Sequence, residues 1–134
     1  MKYILIIILF MSVFYSCGTE SENDNLPDLS GANKIKFSYK LDFDPSGKMN
    51  IKYVEISDLK TVSDIRKIIN YEPFTYIYCI SSGSMGFYKD STLLADMVFN
   101  TSQDLMHISC NYKGRLVAIK LSEENARFLD SFRN

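Results

Sequence analysis

The chain has 134 residues, 15 basic and 16 acidic side chains, a formal net charge of −1 and 46% hydrophobic residues. That balance excludes a disordered acidic chain, and a near-neutral charge argues against nucleic acid as a partner. Nine Tyr and nine Phe with no Trp favour a strand-rich core.

The chain opens with a segment patterned for export. Lys2 supplies a positive start, Tyr3 to Tyr15 is an almost unbroken apolar run, and the small residue Ser16 stands directly before Cys17. About a dozen apolar residues span only about 20 Å as a helix, against roughly 30 Å of hydrocarbon core, so a permanent membrane helix is the poorer reading. Residues 1–16 are therefore expected to be a signal peptide.

The sequence Val13-Phe14-Tyr15-Ser16-Cys17-Gly18 resembles the lipobox of bacterial lipoproteins. The resemblance rests on Ser16, Cys17 and Gly18, whereas Phe14 and Tyr15 depart from the common Leu and small residue. It implies cleavage before Cys17, acylation of Cys17 and a lipid anchor in the bacterial outer membrane. Residues 17–32 read as the lipidated cysteine and a flexible acidic tether, because Gly18 to Ser30 carries too little apolar surface to offset its ordering entropy. The acidic start Glu20, Glu22 and Asp24 resembles the short export signals of Bacteroidetes lipoproteins, which implies display on the outer surface; a solvated spacer would use the same residues.

Beyond the tether, residues 33–134 are expected to form one domain. Asn33 to Asp44 alternates strictly, with Ile35, Phe37, Tyr39, Leu41 and Phe43 on one face and Lys34, Lys36, Ser38, Lys40 and Asp42 on the other. Asp44-Pro45-Ser46-Gly47 supplies a turn, and Met49 to Ile56 resumes a strand pattern, giving a hairpin. From Asp58 to Asn70 the period changes: Leu59, Val62, Ile65, Ile68 and Ile69 recur at helical spacing, with Ser57 or Asp58 as cap. Pro73 breaks that helix, and Phe74 to Ile80 reads as a buried strand ended by a turn at Ser81-Ser82-Gly83-Ser84. Met85 to Lys89, Leu93 to Phe99, Leu105 to Tyr112 and Arg115 to Leu121 follow as short strands, the last two joined by Lys113-Gly114. A C-terminal helix begins at Ser122, with Ala126, Leu129 and Phe132 on one stripe.

The order predicts an α+β fold, a mainly antiparallel sheet of about six to seven strands with one central and one C-terminal helix. A small, partly open barrel is the runner-up.

No catalytic set, cofactor site or metal site is read from the sequence. His107, the lone histidine, falls on the more polar face of its strand with Ser109 and Asn111, and is expected to face solvent. With Cys17 acylated, Cys79 and Cys110 remain as a candidate disulfide in an oxidising envelope; two buried thiols are the alternative. Asp42 and Asp44 suggest a calcium loop, but Pro45 and the missing downstream Glu make them turn formers. The glycines of Ser81-Ser82-Gly83-Ser84-Met85-Gly86 are assigned to tight turns with positive φ. Lys34, Lys36, Lys40, Lys48 and Lys52 form a basic face suited to an anionic surface or to protecting a sheet edge. Asp90-Ser91-Thr92 resembles the general O-glycosylation acceptor of Bacteroidetes, which implies Ser91 as a modified residue.

The functional expectation is a lipid-anchored, surface or periplasm-facing binding or accessory lipoprotein. Its contacts would be the membrane, through Cys17, and an envelope protein or glycan. The alternative is a small envelope hydrolase or protease inhibitor with a loop-built site.

Overall fold

The computed structural model describes residues 26–70, 74 and 80–134. Its elements are β1 (Lys34–Phe43), β2 (Met49–Ile56), α1 (Leu59–Ile68), β3 (Gly83–Lys89), β4 (Thr92–Asn100), β5 (His107–Tyr112), β6 (Arg115–Lys120) and α2 (Glu123–Asp130), with a 3₁₀ turn at Ser131–Arg133. The strands form one six-stranded antiparallel sheet in the order β2-β1-β3-β4-β5-β6. The expected hairpin and the β3–β6 meander are both present, with α1 between them in the chain, and the expected strand Phe74 to Ile80 lies, but for its two end residues, outside the described residues. Among the described residues β2 and β6 are not paired to each other, so the described sheet does not close into a barrel.

The alternating pattern of β1 dictates the layering. Ile35, Phe37 and Tyr39 are buried on one face, opposite Phe87, Met85 and Gly83 of β3. Val62, Ile65 and Ile68 of α1 and Ala126 and Leu129 of α2 join the same core. Phe37 stacks on Phe132 with ring centroids 5.7 Å apart, and the Tyr39 hydroxyl donates to the Leu129 carbonyl at 2.6 Å. The sheet is thus one layer and the two helices the other.

Local signals hold most elements in place. Asp58 caps α1, its carboxylate accepting from Thr61 N at 2.9 Å and from Thr61 Oγ1 at 2.6 Å. Those bonds hold the Asp58 carboxyl below the usual range. Ser122 Oγ accepts from Asn125 N at 3.1 Å at the start of α2. Asp44 Oδ1 accepts from Ser46 N at 2.9 Å, Ser46 Oγ at 2.5 Å and Lys48 N at 2.9 Å, so this aspartate closes the first turn. Lys113 and Gly114 have φ of 50° and 75°, the left-handed pair that a two-residue hairpin demands.

Three expectations are corrected. Gly83 and Ser84 lie inside β3 rather than in a turn, and among the described glycines only Gly47 and Gly114 have positive φ. Gly83 is needed for close approach instead: a Cβ there would collide with the Ser38 carbonyl oxygen across the strand pair. Lys52 leaves the basic face, because its register partner is Tyr39; it is half-buried on the helix side, where its Nζ donates to the Arg133 carbonyl at 2.8 Å. Finally, the end of the expected tether packs on the domain. Leu29 and Ala32 are buried, and Arg66 Nη1 donates to the carbonyls of Leu29 at 3.3 Å and Ser30 at 2.6 Å. Leu26 and Leu29 are the apolar residues that make such packing worthwhile.

Candidate functional site

The face of the sheet turned away from the helices divides into two halves. On β5 and β6 it is buried at His107, Ser109 and Ala118, whereas Asn111 and Leu116 at the far end of the same strands are exposed. The Phe74 ring lies parallel to the His107 imidazole, centroids 5.1 Å apart, and Phe74 N donates to the Ala118 carbonyl at 3.0 Å. Over β2, β1, β3 and β4 the face is open.

His107 therefore does not face solvent as expected. It is 1% exposed, and its Nδ1 lies 2.5 Å from the Leu105 carbonyl. Since a carbonyl only accepts, that nitrogen carries the proton. A histidine walled in by Phe74 and tied to backbone is a structural residue, not a surface base.

On the open half, strand register arranges the outward side chains in three rows. Tyr53, Ser38, Ser84 and Val98 form the first, Glu55, Lys36, Gly86 and Asp96 the second, and Tyr88 with Leu93 part of the third. The last pair depends on an irregularity in β4: register shifts after Phe87↔Ala95 to Tyr88↔Leu93, which turns Leu93 onto the outer face. All of these but Val98 and Glu55 line a shallow groove of about 300 Å³.

The groove floor follows from small residues. The Ser38 and Ser84 hydroxyls pair at 2.7 Å, and Gly86 contributes no side chain. The Tyr88 ring folds over the space left at Gly86, where a Cβ would come within 2.9 Å of Tyr88 Cε2 and 3.4 Å of Leu93 Cδ1. Lys36 Nζ sits over this ring, 5.2 Å from its centroid, as a cation against its π face. Across the groove Tyr53 is 76% exposed. Lys36 also lies 3.5 Å from Glu55, which in turn sits 3.7 Å from Lys34, so acidic partners offset the basic face read from the lysines of β1.

Of the residues singled out in the sequence, Lys36 lines this groove, as do Ser84 and Gly86, which were assigned to a turn. Ser91 is exposed at the β3–β4 turn, beside Asp90, whose φ of 55° is held by paired hydrogen bonds with Asn33 at 2.9 Å each. Cys110 is a buried free thiol in β5, its pKa raised by burial; Cys79 and Cys17 lie outside the described residues. Among the described residues no cluster of His, Cys, Asp or Glu could hold a metal, and no helix is long and apolar enough to cross a membrane. Tyr53, Tyr88, Leu93 and Asp96 were not anticipated, and Gly86 lies in β3 rather than in the turn expected for it. The available signal was Gly86 two residues before Tyr88, which in a strand places a missing side chain beside an aromatic one on the same face.

No family model, curated protein or solved structure matches the chain.

Proposed function

We propose that the protein is a lipid-anchored binding module of the bacterial envelope, tethered at the outer membrane through acylated Cys17, that engages an envelope partner through the open half of its sheet. The observation that carries this reading is the groove itself. A tyrosine with three quarters of its surface in water, a second tyrosine lining the same groove and a floor of small polar residues together offer an exposed aromatic and polar surface for a partner. The lipobox resemblance at Ser16-Cys17-Gly18 supports the anchor, and the acidic residues after it support display on the outer surface. The helix layer, which receives the packed end of the tether at Leu29, leaves the groove on the opposite side of the sheet.

Two measurements test the reading. Metabolic labelling with an alkyne fatty acid is expected to mark the native chain and not Cys17→Ala. Recovery of the acylated protein from cells is expected to bring an envelope protein or glycan with it, in a manner lost on Tyr53→Ala. Reproducible recovery of the protein alone would contradict the binding reading.

A further inference from the structure

Taking the groove as the binding surface, we propose that its ligand is an uncharged polysaccharide segment whose sugar rings stack on Tyr88 and Tyr53. A pyranose ring has an apolar C–H face and a rim of hydroxyls, so it needs a flat aromatic surface bordered by mixed donors and acceptors. Tyr53 stands exposed on one flank, and on the other the Tyr88 ring packs into the space left by Gly86 with Lys36 Nζ 5.2 Å from its centroid. Between them, Lys36 offers donors, Asp96 acceptors, and the Ser38–Ser84 hydroxyl pair retains capacity of both kinds.

The same geometry disfavours other occupants. The central row, Glu55, Lys36, Gly86 and Asp96, is charged or bare, whereas a protein interface concentrates apolar residues at its centre and puts charge on its rim. Strand addition is ruled out on this face, because β1 and β3 each have ladder partners on both sides and keep no free row of backbone groups. A polyanion finds no net field, since Lys36 is met by Glu55 at 3.5 Å and faces Asp96 across Gly86. What remains is a neutral, hydroxyl-rich ligand with stackable faces.

Affinity electrophoresis of the full chain in detergent micelles tests this, using gels cast with dextran, glycogen, galactomannan, xyloglucan or xylan, and with polygalacturonate as the charged control. Retardation is expected in at least one neutral gel. Tyr53→Ala and Tyr88→Ala are each expected to weaken it about tenfold, while Tyr88→Phe retains it. Tyr53 is so exposed that its truncation leaves folding intact, which keeps the test valid if Tyr88→Ala proves unstable. No retardation in any neutral gel, retardation by polygalacturonate alone, or unchanged retardation of Tyr53→Ala would overturn the proposal. If those results coincide with a Tyr53-dependent protein partner recovered from cells, the polysaccharide fails and the binding module stands.

Discussion

Tyr88 occupies the space that a side chain at Gly86 would fill, its Cε2 lying 2.9 Å from where a Cβ would stand. The obstruction is the far end of a side chain that can swing away. Gly86→Ala is therefore expected to lift the ring at little cost, since the alanine also removes glycine's strand penalty of about 0.5–1 kcal/mol. Gly83→Ala differs, because its obstruction is the Ser38 backbone and the ring of Phe99, and a loss of about 3 kcal/mol is expected. Thermal melts separate the two: a near-native midpoint for Gly86→Ala with shifted Tyr88 ring resonances, and a much lower one for Gly83→Ala. Equal midpoints would contradict this account.

Tyr39→Phe isolates one buried hydrogen bond. The hydroxyl ties strand β1 to the end of α2, and its loss leaves the Leu129 carbonyl without that donor, a cost of about 1–2 kcal/mol. Burial also pushes the Tyr39 phenol far above its ordinary value, with Asp130 adding to the rise. A raised folded pKa means stability present below the unfolded value of 10.0 and lost as pH climbs beyond it. Denaturant melts at rising alkaline pH should show a loss in the native chain that Tyr39→Phe reduces.

His107→Ala is expected to act on stability and not on chemistry. Removing the imidazole strips the Leu105 carbonyl of its donor and Phe74 of its stacking partner, for a loss of about 2 kcal/mol. Urea denaturation measures it. A fully stable variant would contradict the structural role assigned to this residue.

At acid pH the helix cap at Asp58 governs a further change. Its folded pKa is depressed chiefly by the hydrogen bond from the Thr61 hydroxyl, then by that from the Thr61 backbone, against an ordinary value of 3.8. The contribution is therefore complete above that value and fades as pH falls through the depressed one. Asn accepts the same bonds without titrating. Asp58→Asn is expected to melt like the native chain near neutrality and to lose less stability on acidification, as read by melts across that range.

How much of this was legible in the sequence differed with the signal. The alternation of Ile35, Phe37 and Tyr39, the Asp44 turn, the Lys113-Gly114 hairpin and the helical spacing of Val62, Ile65 and Ile68 were readable because each is a local pattern with one geometric solution. Gly83 was misread because close backbone approach is a property of two strands distant in sequence. His107 was misread for a similar reason: its strand pattern marks a polar face, and the Phe74 ring that stacks on it is distant in sequence. The groove was invisible, because the register that aligns Tyr53 with Ser38 and Ser84 comes from three strands, and the shift that exposes Leu93 has no sequence mark of its own.

The claim that matters most is that the open half of the sheet, and not the helix layer, meets the partner. It is tested most directly by placing a photo-crosslinking amino acid at Tyr53 in one strain and at Arg127, exposed on α2, in another, then irradiating intact cells. The account predicts a crosslinked envelope species from position 53 and none from position 127. Crosslinking from position 127 with none from position 53 would contradict it.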